Sequence, residues 1–266
     1  MSRSWLNLEG RVVIVTGGAT GIGKRVVDTL LQLEAQVVAV DVHLETGVAD
    51  DGAYCLKCDV TSPESVQEMV DVVMSRYGRI DALVNNAGIN FPRLLVDVEG
   101  KKPEYELNVD AFDKMFDVNV KGAFLCAQAC AKHMIKQGRG VILNMSSESG
   151  KEGSKGQSAY AATKGALDSL TRSWAKELGK YNIRVLACAP GIVETTGLRT
   201  PAYNEALAYT RGCQVEELSD DYTSMIPIGR EGKLQEVSDF VAFLISDRAS
   251  YITGTTMNIS GGKSRG

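Results

Sequence analysis

The chain has 266 residues, 44% of them apolar, which is enough to bury a sizeable core in one large domain or two small ones. Its 29 Lys and Arg nearly balance 33 Asp and Glu with no asymmetry between halves, which excludes a basic stripe for nucleic acid. No apolar run approaches the ~20 residues of a membrane span, and Met1 to Leu8 lacks the apolar stretch of a signal peptide. The six cysteines therefore read as reduced thiols in a cytoplasmic protein.

Apolar strand-like runs alternate with helical patterns from end to end, the signature of an α/β fold whose parallel sheet is covered on both faces. Val12–Val15 reads as a buried strand, followed by a glycine turn and a helix over Ile22–Leu33. Val37–Val40 and Ala53–Cys58 give the second and third strands, and Pro63 opens a helix that reaches Tyr77. Ala82–Val84 is the fourth strand, a long helical stretch spans Ala111–Lys136, and Val141–Leu143 is the fifth. A helix over Ser158–Leu178 leads to the sixth strand, Ile183–Ala187. After an excursion of roughly 45 residues, far longer than ordinary connections, Leu234–Ile245 forms a last helix and Thr255–Ile259 a seventh strand. No linker, repeat or low-complexity tract interrupts the pattern, so residues 1–266 are expected to form one domain.

The first turn, Thr16-Gly17-Gly18-Ala19-Thr20-Gly21-Ile22-Gly23, lies between a strand and a helix, the context a phosphate-binding loop requires. Gly17 permits the tight turn, Gly21 lets backbone approach a pyrophosphate, and Gly23 allows close packing of helix on strand. Asp41, about twenty residues further on at the end of the second strand, suits a ribose diol and repels a 2′-phosphate, which favours NAD over NADP. Lys24, in the first helical turn, is a cation within reach of a phosphate. Asp59 and Val60 follow the third strand, where the carboxylate either reads an adenine amine or caps a turn.

Tyr160 and Lys164 are one turn apart on a single helix face. Free tyrosine ionises near pH ~10, and a fixed cation beside it favours the phenolate. Ser147 lies upstream at the end of an apolar run. Together with the glycine loop, these residues indicate an oxidoreductase.

With Asn85-Asn86-Ala87-Gly88 after the fourth strand, Asn119 in the long helix and Pro190-Gly191 after the sixth strand, the chain resembles the short-chain dehydrogenase/reductase family over essentially its full length. Ala189, where the family often carries asparagine, is a small departure. The resemblance implies a single NAD-binding catalytic domain with a Rossmann-type doubly wound sheet. It makes Tyr160 the general base, Ser147 a hydrogen-bond partner of the reacting oxygen, and Lys164 the group that lowers the tyrosine pKa and holds the nicotinamide ribose. Asn119 would anchor a water leading to solvent. Asn85, Asn86, Ala87 and Gly88 would line the cofactor groove beside Thr20, Ile22, Pro190 and Gly191, with Val193 and Thr195 at the nicotinamide end. The family commonly pairs subunits into homotetramers through the Ala111–Lys136 and Ser158–Leu178 helices; for Trp174, on the second of these, a core contact is the alternative.

Substrate choice in such folds is made in loops, here residues 89–109 and 194–233. Each carries a guanidinium suited to a phosphate, Arg93 and Arg199, although exposed arginines are often simply solvated. Glu148, beside Ser147, suits the hydroxyls of a polyol better than an acyl chain. The stretches Asn90–Asp97, Ser146–Ser158 and Thr196–Pro201, with Gly261–Gly266, resemble those of dehydrogenases of phosphorylated sugar alcohols. That resemblance implies oxidation of D-sorbitol 6-phosphate to D-fructose 6-phosphate with NAD. A 3-oxoacyl thioester reductase or another polyol dehydrogenase would share the same four catalytic positions, and a non-catalytic NAD-binding sensor would be free to lose one of them. No metal is expected: Cys55 and Cys58 face opposite sides of a strand, and Cys126, Cys130 and His133 share a helix face whose apolar neighbours mark packed core or a subunit contact.

Overall fold

On a strand buried on both faces, successive side chains point into opposite layers, so the apolar run must be continuous. The computed structural model, which describes residues 4–264 except 195, 198 and 221–224, is built this way. Strand β1 (Val12–Thr16) sends Val13 and Val15 into one core and Val12 and Ile14 into the other. Helix α1 (Gly21–Gln32), β2 (Gln36–Asp41), a two-residue β3 (Gly47–Val48) and β4 (Tyr54–Lys57) follow. Helix α2 (Pro63–Tyr77) starts as its sequence dictates: Ser62 caps it by accepting from the Ser65 amide at 3.2 Å, Pro63 fills the first turn, and Gly78 ends it at φ 71°.

Beyond β5 (Ala82–Asn85), the long helix expected over Ala111–Lys136 is two helices joined by a π turn. Helix α3 (Val109–Phe116) is capped by Asn108, the π turn covers Asp117–Gly122, and α4 (Ala123–Gln137) completes the run. Then come β6 (Gly140–Met145), a short α5 (Ser149–Glu152), α6 (Ser158–Leu178) and β7 (Ile183–Pro190). The excursion after β7 folds back as α7 (Pro201–Arg211) and α8 (Glu217–Asp220) before α9 (Leu234–Ile245) and β8 (Thr256–Ile259).

The eight strands form one sheet in the order β3-β4-β2-β1-β5-β6-β7-β8. Seven run parallel; β3 pairs antiparallel with β4 at the edge, an addition to the seven strands read from sequence. Helices α1 and α9 cover one face, joined by a Thr29–Ser238 hydroxyl contact of 2.9 Å, and α2, α4 and α6 cover the other. The chain reverses direction across the sheet between β1 and β5. That topological switch opens a crevice at the carboxyl ends of the strands, where this class of fold binds its ligands. No helix among the described residues is long and apolar enough to cross a membrane.

Candidate active site

A cleft of about 1600 Å³ runs along that edge. Its first wall is the glycine loop. Gly17 has φ +65°, and a β-carbon there would stand 2.8 Å from the Ala87 Cα. A β-carbon on Gly23 would lie 2.0 Å from the Gly17 carbonyl oxygen, so only glycine lets α1 seat against the turn. Asn86 fastens the loop from the neighbouring strand, donating to the Thr16 and Gly17 carbonyls at 3.0 Å each. Thr20 precedes α1 without making a side-chain cap, and the first turn of α1 carries no acidic residue. Its amide groups and positive dipole end are thus directed at the cleft, a cradle that fits the diphosphate of a dinucleotide. Gly21, Ile22, Ala87 and Gly88 line the same wall. Asn85 does not: its amide points inward to the Ala123 carbonyl at 3.2 Å and to Asn144 at 2.9 Å, a buried strand-end clasp.

At the far end of this groove Asp41 accepts from the Ala19 amide at 3.3 Å and the His43 amide at 3.1 Å. It sits at the groove's surface, as a ribose-binding carboxylate must. Asp59 and Val60 line the groove as well, and Asp59 also closes its own turn by accepting from the Thr61 amide and hydroxyl at 2.9 and 2.8 Å. Lys24 turns away from the loop and pairs with Asp28 and, at 3.1 Å, with Asp51.

The four predicted catalytic side chains converge where β6, α6 and the π turn meet. Asn119 is buried in the π turn; it donates to the Ile89 carbonyl at 2.9 Å and the Thr163 hydroxyl at 3.1 Å and accepts from the Ile89 amide at 2.8 Å. Ser147, just beyond β6, hydrogen-bonds Tyr160 and accepts from the Ser149 hydroxyl at 3.0 Å. Lys164 is buried, with its ammonium 5.5 Å from the Tyr160 ring centroid and donating to the Met145 carbonyl at 2.7 Å. The expectation that Lys164 acidifies the phenol is not met by these side chains alone. Burial pushes the Tyr160 phenol well up and Tyr203 adds to that, while the Ser147 hydrogen bond opposes both. Burial also brings the Lys164 ammonium down to about 8, against the pull of Asp168. Desolvation outweighs a cation that points at a carbonyl rather than at the phenol oxygen.

On the substrate side, the expected convergence of Arg93 and Arg199 is not formed. Arg93 lies outside the lining of the cleft: its guanidinium donates to the Pro92 carbonyl at 2.7 Å and stacks over Tyr105. Arg199 does line the cleft, 3.6 Å from Glu231. Glu148 lines it beside Ser147 and is bound by Lys263 at 2.5 Å. Pro190, Gly191 and Val193 also line the cleft, whereas Thr195 lies outside the described residues. Sequence reasoning missed a polar cluster that lines the same cleft, in which the Tyr203 hydroxyl accepts from Gln157 at 2.8 Å and from Asn90 at 3.3 Å. The Thr200-Pro201 pair, a cap followed by a first-turn proline, was the signal that would have found the helix carrying Tyr203.

Cys55 and Cys58 belong to opposite cores, and burial pushes the Cys126 and Cys130 thiols up, the latter to about 12. Trp174 packs half-buried against the core that contains Cys126 and Cys130.

Comparison with known proteins agrees with this geometry. The family described as short chain dehydrogenase matches residues 11–206. Sorbitol-6-phosphate 2-dehydrogenase of Klebsiella pneumoniae is 58% identical over 265 residues, covering 99% of both chains. A 3-oxoacyl-[acyl-carrier-protein] reductase of Thermotoga maritima is 39% identical, covering 97% of this chain and 99% of its own. Among solved structures, Thermoplasma acidophilum aldohexose dehydrogenase superposes with a TM-score of 0.82 at 30% identity, covering 98% of this chain and 96% of that one. A Brucella melitensis 3-ketoacyl-(acyl-carrier-protein) reductase complexed with NADH gives 0.81 at 29%, covering 97% and 100%.

Proposed function

The chain belongs to the short-chain dehydrogenase family, and from that premise we propose that it oxidises D-sorbitol 6-phosphate to D-fructose 6-phosphate with NAD. The observation that carries the substrate is the 58% identity, end to end, with a sorbitol-6-phosphate 2-dehydrogenase. The reductases of acyl thioesters stand further off, and a buried carboxylate such as Glu148 is a poor neighbour for an acyl chain. Asp41 and the diversion of Lys24 to two carboxylates support NAD over NADP.

In this reading Tyr160 takes the proton from the C2 hydroxyl and Ser147 holds the same oxygen, which keeps the carbinol in line as the hydride leaves. When bound, nicotinamide dinucleotide accepts that hydride and brings a positive charge beside the phenol. Lys164 and Asn119 hold the ribose side and connect the proton to solvent, while the Gly17–Gly23 cradle, Asp59, Val60, Asn86, Ala87, Gly88, Pro190, Gly191 and Val193 seat the dinucleotide. Glu148 orients polyol hydroxyls and Arg199 receives the phosphate; Arg93, held by Pro92 and Tyr105, is given no role. The reading carries with it one catalytic domain over residues 1–266 and a cytoplasmic homotetramer paired through α4 and α6.

The test is NAD reduction followed by absorbance at alkaline pH against a panel of free and phosphorylated hexitols. D-Sorbitol 6-phosphate should be the best substrate. Tyr160→Phe should lower kcat by about 10²- to 10⁴-fold, the range of general acid–base catalysis, with NADH affinity kept. Preference for a thioester with NADPH, or undiminished turnover by the Phe variant, would refute the proposal.

A further inference from the structure

Beside Ser147, Glu148 is held in an ion pair whose cation, Lys263, has no part in the reaction as described. Glu148 is 8% exposed; its Oε1 accepts from the Lys263 ammonium at 2.5 Å, and its Oε2, also buried, accepts no hydrogen bond among the described residues. Oε2 faces Gly191, where a β-carbon would stand 2.9 Å away and equally close to the Ser260 Cα, so a side chain there would crowd the carboxylate.

Lys263 comes from the segment after β8, and that segment is anchored. Ser264 is buried; its hydroxyl accepts from Asn258 at 3.2 Å and its amide donates to the Ser260 hydroxyl at 3.2 Å. Gly261 packs under Ile226 and Ile228 and accepts from the Ile228 amide at 3.1 Å, and Gly262 lies under Pro227. Residues 260–264 are thus tied to the segment that follows α8, and they deliver one cation to the cleft beside Ser147.

A buried carboxylate with one oxygen held by an ammonium and the other lacking a donor is incomplete, since each buried charge needs its remaining lone pairs satisfied. A hydroxyl is the complementary group: it gives its proton to a carboxylate and its oxygen to an ammonium. Both side chains line the cleft with Ser147 and Tyr160. From this we infer that Lys263 and Glu148 form a hydroxyl-reading pair for the carbon next to the reacting carbinol, and that Lys263 is a specificity-determining residue. The site then selects a vicinal diol over a simple secondary alcohol. This deepens the polyol reading above and rests on it.

The experiment follows reduction by NADH of D-fructose 6-phosphate and of its 1-deoxy and 3-deoxy analogues by wild type, Lys263→Met and Lys263→Arg. Losing a hydrogen bond to a charged group costs about 10- to 100-fold in kcat/KM. Wild type should show that loss on one of the two deoxy analogues. Lys263→Met should show it on fructose 6-phosphate while falling less than about threefold on that same analogue, and Lys263→Arg should restore most of the difference. Equal losses on all three substrates, or none, overturn the pair. If wild type fails to turn over fructose 6-phosphate, the proposed function falls by itself. The pair is then judged by the same variants on 2,3-butanediol against 2-butanol, where an unchanged preference for the diol overturns it.

Discussion

Removing the Asn119 amide should loosen the fold and the site together, by an amount its three hydrogen bonds set. The side chain is 1% exposed and satisfies both backbone groups of Ile89, at 2.8 and 2.9 Å, as well as the Thr163 hydroxyl at 3.1 Å. In Asn119→Ala the Ile89 amide and carbonyl are orphaned. A buried orphan costs about 1–3 kcal/mol; Ile89 is half-buried, so water recovers part and about 1 kcal/mol each is the fair figure. With a small cavity added, the loss comes to roughly 2–3 kcal/mol, or about 4–12 °C in Tm for a chain of this size. Asn119→Asp keeps the acceptor for the Ile89 amide but turns an oxygen toward the Ile89 carbonyl and toward Thr163, whose hydroxyl proton is already given to the Tyr160 carbonyl at 2.7 Å. The new carboxyl is therefore held protonated, its folded pKa above its unfolded one, and its stabilisation is present at low pH and lost as pH rises. Thermal unfolding at about pH 5 and pH 7.5, with NADH affinity by fluorescence, tests this. An Ala variant within about 0.5 kcal/mol of wild type, or an Asp variant with the same deficit at both pH values, would refute the reasoning.

Burial brings the Lys164 ammonium down to about 8 from its ordinary 10.5, so the folded state gives up that proton before the unfolded state does. The stability of wild type relative to Lys164→Met should therefore rise between about pH 8 and pH 10.5, by about 3 kcal/mol at ~1.36 kcal/mol per pH unit; urea titrations showing a flat difference would exclude it. Asp41→Ala removes the charge that opposes a 2′-phosphate, and the ratio of kcat/KM for NAD to that for NADP should fall by roughly 100-fold. An unchanged ratio in parallel initial-rate measurements would remove Asp41 from cofactor choice.

Much of the fold was legible because strands buried on both faces must be continuously apolar, and the helices carried their own stops. Ser62-Pro63 and Gly78 bounded α2, and Leu234–Ile245 fell where its periodicity put it. The candidate catalytic residues were legible from the one-turn spacing of Tyr160 and Lys164 and from Ser147 at the end of an apolar run. What could not be read were features decided by tertiary contact. Gly47–Val48 is too short to leave a pattern. The π turn at Asp117–Gly122 has no composition of its own, and a periodicity drawn through it reads as one straight helix. Arg93 looked like a phosphate ligand because sequence cannot show Tyr105 lying under its guanidinium. The direction of the Tyr160 shift is set by burial and by Tyr203, both invisible before folding.

The cleft draws its walls from Gly17 at one extreme and Lys263 at the other. During synthesis, the phosphate cradle leaves the ribosome long before the strand and tail that finish the opposite wall. Helix α1, which seats that cradle, packs against the late helix α9, so the two walls of the cleft are consolidated only when both ends of the sequence have met.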